Sequence, residues 1–167
     1  LHLFPEDLRE RLIPGVDALD FESIARAVSD TGPDVIINCI GLVKQLDGAG
    51  DPLSALPLNA MLPHQLQRLC KDAGSRLIHI STDCVFSGST GNYKETDRPD
   101  ADDLYGVSKR LGELHQPGTV TLRTSIIGHE LTSSRSLIDW FLSQDGAVDG
   151  FTRALFSGLP TVELARV

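Results

Sequence analysis

Leu77-Ile78-His79-Ile80-Ser81-Thr82-Asp83-Cys84-Val85-Phe86-Ser87-Gly88 is the stretch from which the fold can be read. A short, mostly apolar run opens into a polar loop, the pattern of a buried strand ending at the edge of a sheet. Further on, Tyr105-Gly106-Val107-Ser108-Lys109 sets a phenol and an ammonium four residues apart in a helical pattern. Positions i and i+4 share a helix face, separated by about 6 Å of axial rise. A free phenol titrates near ~10, and a neighbouring cation favours the phenolate. Tyr105 is therefore expected to be acidic enough to exchange a proton with an alcohol near neutral pH. Thr82, delivered from the strand end, can hold the same oxygen. Taken alone, the tyrosine–lysine spacing also fits an ordinary amphipathic surface helix.

Working outward, Val35-Ile36-Ile37-Asn38-Cys39-Ile40 is a second β-branched run, read as a strand buried on both faces and ended by Gly41. Leu58, Leu62, Leu66, Leu69 and Ala73 recur at helical spacing, with Gly74 as the stop. Thr119–Arg123 reads as a third strand, leading into Thr124-Ser125-Ile126-Ile127-Gly128. Pro5–Leu12 suggests a short helix, and Asp20 caps a helix with Phe21, Ile24, Ala25 and Val28 on one face. Gln45–Leu56 and Ser87–Asp103 read as loops, the second long enough to suggest a function. The Tyr105 helix carries an apolar stripe of Leu104, Val107, Leu111 and Leu114, and Pro117-Gly118 breaks it. Leu137–Leu142 reads as a helix, Ala147–Phe156 as hairpin-like, and Pro160-Thr161 as a helix start. Alternating helices and strands imply βαβ units: an α/β fold with a doubly wound, Rossmann-like parallel sheet. In such sheets ligands sit beyond the carboxyl ends of the strands. Here those ends are Gly41, Ser81-Thr82 and Arg123-Thr124-Ser125.

The chain has 167 residues, 41% of them hydrophobic and 23% charged, enough for a packed core. A net charge of −8 argues against nucleic acid or an anionic membrane as partner. No apolar run approaches the ~20 residues of a membrane span. Cys39, Cys70 and Cys84 show no metal or disulfide spacing, which suggests reduced thiols and a cytoplasmic setting. No G-x-G-x-x-G turn occurs. The expectation is a sheet lacking its first, phosphate-binding βα unit and the C-terminal part of a substrate lobe. Residues 1–130 would be a partial nucleotide-binding domain holding the catalytic residues, and 131–167 the start of that lobe.

Linked motifs carry a resemblance. Ser81-Thr82-Asp83-x-Val85-Phe86-x-Gly88, Tyr93-x-Glu95-Thr96-Asp97 and Tyr105-Gly106-x-Ser108-Lys109-x-x-Gly112-Glu113 occur in this order. With Asp17-x-x-Asp20, Pro33–Asn38, Asn59 and Leu122–Ser125, they closely resemble the extended short-chain dehydrogenase/reductase family, and within it the dTDP-4-dehydrorhamnose reductase branch. The resemblance implies NAD(P)H-dependent reduction of a nucleotide-linked 4-keto-6-deoxy sugar, with a homodimer as one arrangement. It makes Tyr105 the general acid/base, Lys109 the lysine that lowers its pKa and binds the nicotinamide ribose, and Thr82 the hydroxyl that orients the carbonyl. It puts Asp17 and Ala18 near adenine, Cys39, Ile40 and Gly41 over the cofactor, and Asn59 in support of the site. Asp83, Cys84 and Ile126 would face the substrate, and no metal is implied. Cys84 and Ile126 stand where that branch more often has tyrosine and tryptophan, which is consistent with a changed hexose or a capsule-type nucleotide sugar.

Other polar residues have simpler readings. His79 reads as a satisfied core histidine, Arg123 as structural, and Cys84 as no nucleophile for want of a base. His129 and Glu130 read as either substrate-side or a loop cap. Arg153 suits either a diphosphate or solvent. The Asp100, Asp102 and Asp103 cluster complements a helix N-terminus, with metal binding the lesser alternative. Two rival functions remain: an epimerase or dehydratase of the same superfamily, and a non-catalytic regulatory subunit like that of methionine adenosyltransferase, which looks similar to these reductases.

Overall fold

The computed structural model describes residues 4–131 and 136–167. Backbone contacts divide the chain into a unit of Glu6–Arg123 and a second that holds Thr124–Val167. The larger unit contains a three-stranded, all-parallel sheet in the order β1-β2-β3. Its strands are β1 (Val35–Asn38), β2 (Arg76–Ile80) and β3 (Thr119–Leu122). Register places Ile36 beside Leu77 and Thr119, and Asn38 beside His79 and Thr121. Because side chains alternate across a strand, these residues share one face. The opposite face carries Val35, Ile37, Ile78 and Val120.

Helices cover the first face. A short α1 (Glu6–Arg9) precedes α2 (Phe21–Thr31), which is closed by Gly32 in the left-handed region at φ 54°. Next come α3 (Pro52–Leu56), a π turn (Pro57–Met61) and α4 (Leu62–Ala73). Ile24 and Val28 of α2 pack with Leu62, Leu66 and Cys70 of α4, Leu77 of β2 and Leu114. These buried apolar side chains supply the main stabilising free energy of the unit. The second crossover is α5 (Leu104–Leu111).

Several details differ from expectation. Val35 and Ile37 are exposed, because among the described residues the helices cover one face of β1. Residues 52–56 are helical rather than loop: the Asp51 carboxylate accepts from Leu53 N–H and Pro52 starts the helix. Asp20 sits at the α2 cap position, but its side chain makes no capping bond; it lies 3.8 Å from Arg26. α5 ends at Gly112, before Pro117, and Leu111 is exposed. The buried positions of α5 are Gly106, Ser108 and Lys109.

The smaller unit is irregular. β4 (Ile126–Ile127) pairs in parallel with β5 (Leu159–Pro160), and α6 (Leu137–Leu142) and α7 (Thr161–Leu164) complete it. This pairing lies within the unit that holds Thr124–Val167. Residues 147–156 form no hairpin.

α5 approaches the π turn at Gly112. A Cβ there would lie 2.0 Å from the Asn59 carbonyl oxygen and 3.1 Å from Pro63. Gly112 has φ −86°, so the constraint is space and not backbone conformation. We expect Gly112→Ala to destabilise the fold by about 1–3 kcal/mol, the scale of overpacking. Gly50, with open space around its Cβ position, should tolerate alanine within about 0.5 kcal/mol. Urea unfolding of the two variants checks the contrast.

Candidate active site

The site grows from the end of β2. Past Ile80, Ser81 and Thr82 are buried, and Asp83–Val85 turns into a single 3-10 turn. Thr82 caps that turn, accepting the Cys84 N–H at 3.1 Å. Its own hydroxyl donates to the Asp83 carboxylate at 3.4 Å, and it lies near enough to the Tyr105 phenol to pull that group's pKa down. Thr82 and Tyr105 are therefore brought together, with Asp83 and Cys84 beside them.

α5 supplies the other groups. Asp103 caps it, accepting the Gly106 N–H at 3.1 Å. Gly106 lets the helix lie against the 3-10 turn, since a Cβ would sit 2.5 Å from the Cys84 carbonyl oxygen. Lys109 is 4% exposed, and its Nζ donates to the Ile80 carbonyl at 2.8 Å. Ser108 donates to the Tyr105 carbonyl and accepts from Asn59 Nδ2 at 3.1 Å.

The π turn positions Asn59, which is fully buried. Its Oδ1 accepts the Leu42 N–H at 2.8 Å and its Nδ2 donates to the Leu42 carbonyl at 3.0 Å. One side chain thus holds the backbone that leaves β1 as a neighbouring strand would. Gly41 comes close to both helical groups: a Cβ would lie 3.2 Å from Asn59 Oδ1 and 3.5 Å from Lys109 Nζ. Cys39 and Ile40 are exposed at the same strand end. Asp17 forms a local turn, its Oδ1 accepting the Leu19 N–H at 2.9 Å. Ala18 packs on the core and lines a shallow groove with Leu19, Phe21, Pro57, Met61 and Gln65. Ile126 lies in the smaller unit, at the start of β4.

The electrostatics reverse one expectation. The Tyr105 phenol is raised above its ordinary value, chiefly by burial, with the Thr82 hydroxyl pulling down and Cys84, Asp83 and Asp103 adding to the rise. Burial lowers Lys109 to about 8, against the opposing pull of Glu113. Lys109 does not acidify the phenol here, because its ammonium is directed at the Ile80 carbonyl. The cation on the phenol ring is instead Lys44, with Nζ 5.5 Å from the ring centroid and 3.3 Å from Asp103. Nothing in the spacing of Lys44 marks it in the sequence.

A buried ion pair braces this edge. Arg123 Nε and Nη2 each meet a Glu113 oxygen at 2.8 Å, and Ser81 donates to Glu113 at 3.2 Å. The guanidinium also lies 5.1 Å from the Phe86 ring, which stacks on Tyr93 at 4.2 Å. Arg123 thereby ties the loop after Thr82 to the end of β3. His129 pairs with Asp139 at 2.6 Å, and Asp139 also accepts from Ser136 and the Glu130 N–H; this is the loop-cap alternative. Arg153 is exposed. Among the described residues no group of His, Cys, Asp and Glu is arranged to hold a metal, and no helix is long and apolar enough to cross a membrane.

Residues 9–133 match the family described as the RmlD substrate binding domain. A dTDP-4-dehydrorhamnose reductase of Streptomyces griseus is 32% identical over 99 residues, 59% of this chain and 33% of that protein. The methionine adenosyltransferase 2 subunit beta of Danio rerio is 36% identical over 118 residues, 68% of this chain and 36% of that protein. The crystal structure of dTDP-4-dehydrorhamnose reductase from Bacillus anthracis in complex with NADP superposes with a TM-score of 0.60 at 28% identity. That match covers 66% of this chain and 42% of that one. The chain thus spans about a third of the length of these curated relatives.

The Lys109 shift has a consequence for stability. Its folded value of about 8 lies below the ordinary value of 10.5, so between them the unfolded state binds more protons. Stability attributable to this group therefore rises with pH through that window and is lost as pH falls through the folded value. Lys109→Met, which keeps the stem and removes the titration, should flatten this dependence. Urea unfolding of both proteins across the window checks it; parallel curves would contradict the buried ammonium.

Proposed function

The chain belongs to the family of the RmlD substrate binding domain, and from that premise we propose that it serves NAD(P)H-dependent reduction of a nucleotide-linked 4-keto-6-deoxy sugar. Such a product is a precursor of cell-surface polysaccharide. The observation that carries this reading is the Tyr105 phenol beside the Thr82 hydroxyl, with Lys109 buried at the same strand end. The Streptomyces and Bacillus relatives, named as dTDP-4-dehydrorhamnose reductases, support the substrate class, and the NADP in the latter supports the cofactor class.

The residues fit a nicotinamide cofactor at one end. Gly41 leaves open the space a side chain would fill beside Lys109 and Asn59. Lys109 and the Cys39–Gly41 backbone would hold the nicotinamide ribose half, and the groove beside Ala18, next to Asp17, would take the adenine. When bound, the reduced nicotinamide supplies hydride to the carbonyl carbon. Thr82 orients the carbonyl oxygen, and Tyr105 delivers a proton to it. A phenol held above its ordinary pKa by burial remains protonated at neutral pH, the state a proton donor needs. After transfer, the Thr82 hydroxyl donates to the phenolate and Lys44 lies over its ring. Asp83, Cys84 and Ile126 are assigned to the substrate side, and residues 131–167 to the start of a substrate lobe. The same reading puts the protein in the cytoplasm, where free Cys39, Cys70 and Cys84 stay reduced, and allows a homodimer.

The similarity to the Danio rerio subunit favours a second reading, a non-catalytic regulatory subunit. The presence of Thr82, Tyr105 and Lys109 together weighs against it. Consumption of NADPH with a dTDP-4-keto sugar separates the two, and net consumption also separates a reductase from an epimerase. In a full-length version, Tyr105→Phe should lower that turnover by at least about 100-fold, the scale of acid–base loss, while cofactor binding persists. Undiminished turnover in this variant would defeat the mechanism.

A further inference from the structure

Asn38 and His79 sit side by side on β1 and β2, 2% and 0% exposed. Asn38 Oδ1 accepts the Ile40 N–H at 3.0 Å. That fixes the amide's orientation, so Nδ2 is the atom 3.1 Å from His79 Nδ1. An amide nitrogen only donates. His79 Nδ1 is therefore the acceptor, and the ring proton sits on Nε2. This Nε2 is buried and has no hydrogen-bond partner among the described residues. His79 is not the satisfied core histidine its strand position suggests.

A buried N–H without a partner is unfavourable, and an apolar side chain of similar size would avoid it. What an apolar side chain cannot do is accept from Asn38. Without that acceptor the Asn38 amide is free to turn, and its hold on Ile40 loosens. Ile40 leads directly into Gly41, whose Cβ position lies 3.5 Å from Lys109 Nζ. The following residue, Leu42, is gripped independently by Asn59.

We propose that His79 is a positioning residue: acting through Asn38, it fixes the Ile40–Gly41 turn over which the nicotinamide cofactor is to be held. The link to the cofactor rests on the reductase reading; the clamp itself does not. The ring works as a neutral acceptor. Burial foremost, then the charges of Lys109 on α5 and His64 on α4, hold its pKa down to about 4. A proton on Nδ1 would set two donors against each other and open the clamp.

Long-range nitrogen–proton NMR should show the Nε2–H tautomer of His79, unchanged from about pH 6 to 8. In Asn38→Asp the carboxylate keeps the Ile40 bond, and the ring should switch to the Nδ1–H tautomer; an Nδ1–H ring in the parent protein overturns the proposal. In His79→Leu, Ile40 amide exchange should quicken about tenfold, the loss of one hydrogen bond, while Asn38→Asp stays near the parent. The cofactor KM of His79→Leu should rise by a similar factor with kcat within about twofold, since the clamp touches no reacting atom. Unchanged Ile40 exchange in folded His79→Leu, or an unchanged KM in an active protein, overturns the proposal. If the parent protein oxidises no nicotinamide with any keto sugar, the reductase reading fails, and Ile40 exchange and the tautomer still decide the clamp.

Discussion

The backbone of α5 meets the π turn with no side chain between them, and the polar geometry of the site depends on that approach. At Gly112 the space for a Cβ is already taken by the Asn59 carbonyl oxygen. Only at this separation does Asn59 Nδ2 reach Ser108. The same amide holds Leu42, so the position of α5 is passed to the backbone leaving β1. Lys109, three residues before Gly112, then meets the last carbonyl of β2. The π turn is part of this geometry: the extra residue it inserts re-aims one side chain inward, a common use of such turns at functional sites.

A second constraint acts from the other side. Glu113 follows Gly112, so the helix approach also fixes where its carboxylate lies. That carboxylate is buried, and Arg123 and Ser81 neutralise and solvate it. Removing one partner of such a pair leaves an uncompensated buried charge and costs about 3–5 kcal/mol. Apolar residues of similar volume often replace such a pair without loss of stability. They would lose the directional contacts to Ser81, Phe86 and the Glu95 carbonyl that tie three segments to one strand end. The pair is thus better understood as fixing geometry than as supplying stability.

The strands, the strand-end loops and the Tyr105–Lys109 pair were legible because each follows a local rule: β-branched runs, polar residues past a strand end, and helical spacing. The apolar stripe of α5 and its buried face differ for a physical reason. Periodicity assumes that the buried face is apolar, whereas Gly106, Ser108 and Lys109 face inward to meet backbone and amide groups. The π turn was hidden because Leu58 and Leu62 keep a helical spacing through it. The capping Asp51 and the Pro52 that follows it are a usable local signal for α3. Lys44 and the orphaned Nε2 of His79 arise from pairings distant in sequence, which no single-segment pattern records.

Most instructive is the expected acidity of Tyr105. Spacing alone brings a cation within a turn of the phenol, but spacing says nothing of where the cation points or of what surrounds both groups. Burial penalises an ammonium and a phenolate alike, so one cause lowers Lys109 and raises Tyr105. Charge separation between the two would repay that penalty only at close range, and Lys109 is committed to Ile80. The protonated phenol is therefore the resting state, and the Thr82 hydroxyl is the group that would favour the phenolate in the proposed proton transfer. That asymmetry favours giving a proton over taking one, and it agrees with a reaction that ends in an alcohol.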